Sequence, residues 1–350
     1  MFALAIHFLS NTNPYSTTVS FPFCRTPELV QEEILANFSL SELFLFSTIS
    51  KRSNKLVRNS HYWKKLKVMI AVRKEDLYFM IYLKFFQPIL RISIYQSPKL
   101  NNINESLKFD EHHVKYQLNE ETQWINTYWN DVTLGMRIIG DRLLYFNPKS
   151  DISMYLCGPE LIISVEPVIE WLKIQRIEKL KHLSIEGSWK GPIGFQRILK
   201  NFQVTKSLST KLFIDFSEIQ IPTNLKKLNL DNCRNLKMDE FSIINPEITY
   251  LSGSGFTSED LNRFLKAWMN GEVNSRLKYF SCTPVVKIDR RKVLEGIEGV
   301  EQPRELRRSY RLNDLDVITF AGGFDIRRRH DGVIATIFCG QVFRMIVWTL

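Results

Sequence analysis

Four side chains able to ligate a cation stand side by side at Asp110-Glu111-His112-His113. Neighbouring side chains diverge on a helix and on a strand alike, so these four converge only on an unusual backbone, and the stretch reads as a solvated loop. The five cysteines, Cys24, Cys157, Cys233, Cys282 and Cys339, are scattered, odd in number and never spaced CxxC. Such spacing points to free thiols in a reducing compartment rather than a zinc site or a disulfide frame. No GxSxG, HExxH or GxxxxGK[ST] occurs, and Gly322-Gly323 lacks the spacing of a phosphate or dinucleotide loop, so it reads as a bulge or bend. Arg327, Arg328 and Arg329 form the best isolated basic run. Strand alternation would split them, with Arg327 and Arg329 on one face and Arg328 on the other, which suits nucleic acid poorly. The sequence therefore calls for no metal, no cofactor and no catalytic residue.

The chain has 350 residues and a formal net charge of +10. That length suits about two domains with a core that needs no covalent staple. A basic balance serves nucleic acid, a membrane surface or an acidic protein partner. Much of it is concentrated at Lys51, Arg52, Lys55, Arg58, Lys64, Lys65, Lys67, Arg73 and Lys74. The opening MFALAIHFLS is apolar but short and follows no Lys or Arg, a poor signal peptide. No stretch reaches the roughly 20 apolar residues that crossing a bilayer takes. Residues 1–20 read as a loosely ordered lead-in.

Residues 21–66 must position whatever the chain docks. Thr26 is placed to cap a helix with Pro27 at its first position. Val30, Ile34 and Phe38 recur every four residues, with Leu29 and Leu35 beside them, as one face of that helix. Ser39-Leu40-Ser41-Glu42 fits a capping box opening a second helix. With Leu43, Phe44, Leu45, Phe46 and Ile49, the second helix is apolar almost all round, so it is either deeply buried or awaiting a partner. So short a stretch cannot hide that much apolar surface by itself, and a second polypeptide is expected to cover it.

In order and spacing, Pro27-Glu28-Leu29, Ile34-Leu35, Leu43, Ser50-Lys51-Arg52 and Tyr62-Trp63-Lys64-Lys65-Leu66 resemble an F-box. One departure is Thr26, where many F-boxes carry Leu. The resemblance implies a three-helix module that docks onto a Skp-type adaptor and so joins a cullin-based ubiquitin ligase. Skp-type adaptors are acidic in general, which offers the basic cluster a protein partner. The expected docking residues are Pro27, Val30, Ile34, Leu43, Leu45 and Ile49, because a few buried apolar anchors carry most interface energy.

Further along, residues 68–72 and 89–95 are strand-like, while 76–86 is apolar but irregular. Residues 101–119 read as a polar loop, and Trp124 and Trp129 sit in a mixed stretch. Residues 132–146 look like two strands around Gly140-Asp141, and 167–175 like a short amphipathic helix. Leu225, Leu228, Leu230, Cys233 and Leu236 match the LxxLxL pattern of a leucine-rich repeat. Weaker echoes occur at Leu180, Leu183 and Ile185, at Ile248 and Leu251, and at Leu277 and Phe280, with another strand expected near 212–216. Each strand buries alternate residues and each helix covers one side, so neighbours must stack to make a core. Thr257 caps a helix carrying Leu261, Phe264, Leu265 and Trp268 at three- and four-residue spacing, and residues 195–202 form a shorter one.

The chain closes with a short helix at 289–296, a charged connector at 298–311, and a hairpin over 317–338. Its His330-Asp331-Gly332 turn uses the pair that accepts positive φ. A turn at Gly340-Gln341 leads to the last strand. The stretch ITFAGGFDIRRRHDGVIATIFCGQVFRMIVW resembles the close of the F-box-associated domain in the expanded nematode F-box families. ITYLSGSGFTSEDLNRFLKAWMNG is similar to that domain's type-two form. The resemblance implies that the C-terminal domain holds a protein substrate.

The expected fold is α+β: a three-helix F-box at 21–66, a mixed α/β region at 67–176, and a degenerate leucine-rich-repeat-like α/β domain at 177–350 closed by a C-terminal β-hairpin. The expected function is that of a non-catalytic substrate-recognition adaptor of a Skp-cullin-F-box ubiquitin ligase, in cytoplasm or nucleus. Such a protein works by raising the effective concentration of a substrate near activated ubiquitin. Two alternatives stand. One is an F-box scaffold that binds the Skp adaptor without delivering substrates. The other, less favoured because the basic runs lack interleaved aromatics, is a nucleic-acid binder. No membrane partner is expected.

Overall fold

A computed structural model describes residues 23–73, 76–83, 88–97, 103, 105–119, 121–158, 165–187, 193–211, 220–312 and 317–348. The expected lead-in at 1–20 and the strand near 212–216 lie outside the described residues. The chain forms two compact units, one of Met1–Ala71 and Glu75–Asp151, the other of Val72–Lys74 and Ile152–Leu350. Strands outweigh helices, and the class is α+β.

In the first unit, helices α1 (Glu28–Ala36), α2 (Leu40–Ser47) and α3 (Lys51–Asn59) precede strands β1 (Lys67–Arg73), β2 (Leu77–Tyr82), β3 (Pro88–Gln96), β4 (Ser106–Phe109), β5 (His112–Asn119) and β6 (Trp124–Trp129), with α4 (Val132–Phe146) last. The strands lie in the order β1-β2-β3-β6-β5-β4. β3 and β6 run parallel, while β2–β3, β5–β6 and β4–β5 are antiparallel. Ile92 and Ile94 on β3 stand opposite Ile125 and Thr127 on β6, and all four are buried.

Two expectations are corrected in this unit. Residues 132–146 are one helix, not two strands. The Asp131 carboxylate accepts from the amides of Thr133 (2.8 Å) and Leu134 (3.2 Å), and Val132, Met136, Ile139, Leu143 and Phe146 make a buried stripe. The 3.6-residue period of that stripe outweighs the turn propensity of Gly140-Asp141. The supposed polar loop contains the β4–β5 hairpin, turned at Asp110 with φ 51°. Its apolar side, Leu107, Phe109, Val114 and Tyr116, is buried under polar neighbours that alternate with it. Within the stretch expected as irregular, Leu77–Tyr82 form strand β2, and residues 84–86 lie outside the described residues.

The second unit holds β7 (Ile152–Cys157), α5 (Glu166–Ile174), β8 (Lys179–Glu186), α6 (Ile193–Asn201), β9 (Gln203–Thr210), β10 (Lys227–Asp231), α7 (Met238–Ile244), β11 (Ile248–Ser254), α8 (Ser258–Asn270), β12 (Tyr279–Pro284) and α9 (Arg290–Val293). It ends with β13 (Val300–Arg311), β14 (Val317–Arg327), β15 (Ile334–Cys339) and β16 (Phe343–Trp348). Strands β7 to β12 are parallel, and β16, β15, β14 and β13 extend the sheet beside β12 as an antiparallel meander. Leu183, Leu208, Leu228, Thr249, Phe280 and Met345 occupy one register row on the helix side. Phe241 of α7 stacks on Phe280 at 4.8 Å, and Phe264 of α8 meets the same ring edge-on at 5.5 Å. The pattern residues Leu225, Leu228, Leu230, Cys233 and Leu236 are all buried.

The stretch expected as a charged connector is strand β13, paired along β14 with a bulge between Gln302 and Arg307. Its charges hid a strand because only alternate residues face other protein. Opposite that bulge, Gly323 has φ 107°, and a Cβ there would lie 2.5 Å from the Thr336 methyl. The Gly322-Gly323 pair is thus the expected bend.

Helix α4 approaches β6 so closely that a Cβ on Gly135 would fall 2.6 Å from ring atoms of Trp129. Gly135→Ala is therefore expected to cost about 1–3 kcal/mol through overpacking. Urea unfolding of the full chain checks this as a lowered midpoint.

Candidate functional site

Helix α1 begins at Glu28, with Pro27 as its N-cap. The Pro27 carbonyl accepts from the amides of Val30 (3.0 Å) and Gln31 (3.1 Å). Thr26, expected as the cap, lies one residue too early. Its hydroxyl instead donates to the Phe23 carbonyl at 2.8 Å, because Pro27 holds an extended ψ of 149° ahead of the helix. The Ser39–Glu42 capping box opens α2 as expected, and a second box, Ser50 with Ser53, opens α3. That second box was legible as S-x-x-S but lacks the usual acid at its fourth position.

Of the six expected docking side chains, Pro27 is exposed, Val30 is 41% and Ile49 42% exposed, and Ile34 is half-buried. Leu43 and Leu45 are enclosed, at 0% and 2%. Helix α2 thus needs no second polypeptide to cover it, a correction to the sequence-based expectation. Its own unit does so. Phe44 packs against Phe109 of β4 with ring centroids 6.2 Å apart, and Phe46 meets the edges of Phe23 (5.4 Å) and Phe38 (6.0 Å). Polar ties fix the seat: the Ser41 hydroxyl donates to the Gln123 carbonyl at 2.6 Å, and Arg142 of α4 donates to the Ser47 carbonyl at 2.9 Å. Burial also pulls the Arg142 pKa below its usual value, against the opposing pull of Asp110.

What remains outside is a narrower apolar set. Leu29 is 79% and Tyr62 43% exposed, beside Val30 and Ile49. Leu29, Leu35, Leu56 and Tyr62 line a cleft of about 270 Å³, with Glu32 and His61 also on its wall. Sequence reading missed Leu29 and Tyr62 as surface anchors, although both lie within the motif. Lys51, Arg52, Lys55, Arg58, Lys64 and Lys65 are all exposed, and the Arg58 guanidinium sits 4.3 Å from the Tyr145 ring centroid.

The second unit presents a different surface. Ser184, Ser209, Asn229, Tyr250, Ser281 and Arg344 form one register row on the side of the sheet opposite the Leu183–Phe280 row. Asn229 donates to the Ser209 hydroxyl at 3.3 Å, and Lys227 lies 5.2 Å from the Tyr250 ring centroid. All six are at least partly accessible. Adjacent members stand one strand spacing apart, about 4.8 Å.

The triple-arginine run is not a basic patch. Strand β14 ends at Arg327, and Arg328 turns inward over Trp268, 5.1 Å from its ring, to grip Asp331 through several hydrogen bonds. Those bonds hold the Asp331 carboxyl down at about 2. His112 and His113 are exposed on β5, and among the described residues no group of three or more His, Cys, Asp or Glu is placed to hold a metal ion. No helix among them is long and apolar enough to cross a membrane. Burial pushes the thiols of Cys233 and Cys282 up to about 12 and that of Cys339 to about 11.

The family model described as F-box domain matches residues 27–65, over α1 to α3 and the turn that follows them. The model described as F-box associated matches residues 215–282, which include β10 to β12. No curated protein and no solved structure matches the chain. The chain carries an F-box followed by an F-box-associated segment. That combination indicates, in general terms, an adaptor of Skp-cullin-F-box ubiquitin ligases.

The raised thiol pKa values carry a sign. Cys233 and Cys282 stay protonated throughout the neutral and mildly alkaline range, so iodoacetamide at pH 8 is expected to leave both unmodified in the native chain. Peptide mass spectrometry should find both labelled once guanidinium has unfolded the protein.

Proposed function

We propose that the chain is the substrate-recognition adaptor of a Skp-cullin-F-box ubiquitin ligase, docking a Skp-type adaptor through residues 21–66 and holding a protein substrate with residues 177–350. The observation that carries the docking half is the residue of apolar surface on the F-box helices. After α2 has been buried by its own unit, Leu29, Val30, Ile49 and Tyr62 still face solvent within or beside the matched segment. Exposed side chains of this size, clustered within a short stretch, mark an interaction surface. The exposed cations of α3 and of the turn after it suit an acidic partner. Docking on this reading uses Pro27, Val30, Ile34 and Ile49 directly. Leu43 and Leu45 act from beneath, by holding the helices in place.

The substrate half rests on the parallel strands and their polar row, which we take as a degenerate leucine-rich-repeat-like surface. Neither task needs a reacting group in the chain: holding a substrate close to a ubiquitin donor is a matter of effective concentration. The setting is cytoplasm or nucleus, where the ligase machinery operates.

Two kinds of substitution separate docking from stability. Val30→Asp and Ile34→Asp are expected to lower recovery of a Skp-type adaptor by about tenfold or more, the first leaving the unfolding midpoint nearly unchanged and the second, at a half-buried site, lowering it modestly. Leu43→Ala is expected to lower stability by about 2–5 kcal/mol through a core cavity. Affinity purification followed by urea unfolding reads both. Full recovery of the adaptor with Ile34→Asp refutes the docking half. An adaptor recovered without a cullin identifies a scaffold instead.

A further inference from the structure

Strand β13 is the last in the sheet order of its unit, and among the described residues no strand pairs with its outer edge. It is twelve residues long. Pro303 sits in the bulge, so residues 304–311 run free of proline. An edge of this length offers unpaired amides and carbonyls to any extended segment whose side chains suit it.

Its two faces differ sharply. On one, Arg308 makes a paired salt bridge with Asp325 at 3.0 Å, and the Tyr310 ring meets Trp348 edge-on at 5.8 Å. That face closes a small core with Tyr279, Phe320 and Ile346. On the other face Arg307, Ser309 and Arg311 stand opposite Ala321, Thr319 and Val317, and all six are exposed. Among the described residues Arg304, Arg307 and Arg311 have no ion-pair partner, whereas Arg290 and Arg308 do. The strand thus separates a guanidinium used in folding from guanidinia that folding leaves free.

We propose that the outer edge of β13 takes up an extended acidic segment of a partner protein as an added strand, with Arg307 and Arg311 meeting carboxylates four residues apart. The inference rests on the adaptor reading in one respect, that the segment belongs to the protein being held. The spacing follows from strand geometry. Arg307 and Arg311 lie on one face about 13 Å apart, the separation of residues i and i+4 on the incoming strand. Two other occupants fit less well. A second copy of β13, paired antiparallel about Ser309, would set Arg307 opposite Arg311 twice, and like charges in that position repel. A single-stranded nucleic acid would need aromatic faces for its bases, and Tyr310 and Trp348 are turned to the opposite side. The exposed arginines therefore repel basic strands and favour acidic ones over neutral ones.

The test uses the full chain and a fluorescein-labelled Thr/Val peptide carrying two glutamates four residues apart, followed by fluorescence anisotropy. Binding is expected, weakened about tenfold when Gln replaces the glutamates or when the chain carries Arg307→Glu with Arg311→Glu. Both substitutions fall on exposed side chains, and thermal unfolding verifies the fold. Infrared spectra of isotope-labelled peptide carbonyls are expected to shift to the extended-strand band on binding. Absence of binding, binding indifferent to charge, or binding without the strand band overturns the proposal. So does an oligouridylate of equal charge that binds as tightly. Recovery of the Skp-type adaptor by the double variant is measured alongside, so that loss of peptide binding with adaptor recovery intact sinks this inference alone.

Discussion

Helix α2 has no polar side to offer water, and the first unit is built around the contact that relieves it. Leu43, Phe44 and Leu45 are buried, Phe44 against Phe109 of the sheet, while Ser41 and Ser47 are tied by hydrogen bonds to Gln123 and Arg142. The apolar side chains supply the burial and the polar ties set direction, since dispersion and hydrophobic burial do not specify an angle. With α2 fixed, α1 and α3 flank it in a set position, and the side chains left over become a defined surface. The buried core and the exposed apolar surface thus draw on different residues of one short segment.

The second unit solves the opposite problem. Its parallel strands β8 to β12 could not be covered by one helix, so several helices contribute to a shared core around Phe280. The row on the opposite side is thereby released from packing against those helices. The meander from β13 to β16 continues the sheet and adds its own small core around Phe320 and Ile346.

Much of this was legible in the residues. The capping boxes at Ser39 and Thr257, the LxxLxL pattern at Leu225–Leu230 and the Asp331-Gly332 turn each have a local cause, and local causes can be read from neighbours in sequence. The failures have a common origin in contacts made far along the chain. Residues 132–146 were misread because Gly140-Asp141 resembles a turn, whereas Gly135 is small to admit Trp129 and the helix stripe continues through both. Strand β13 was hidden by its charges, since an edge strand owes its pairing to β14 rather than to its own composition. The apolar surplus of α2 was expected to be covered by a second polypeptide. The burying surface comes from β4, tens of residues away and within a stretch taken for a loop.

The row on the second unit's sheet, Ser184, Ser209, Asn229, Tyr250, Ser281 and Arg344, takes one side chain from each of six strands and lies on the face opposite the helix-side core. A replacement at Ser184, Ser209, Asn229 or Ser281 leaves the helix-side core around Phe280 untouched, whereas Tyr250 also packs on the small core around Tyr279. The small polar members of such a surface can drift letter by letter across generations while the helix-side core stays as it is.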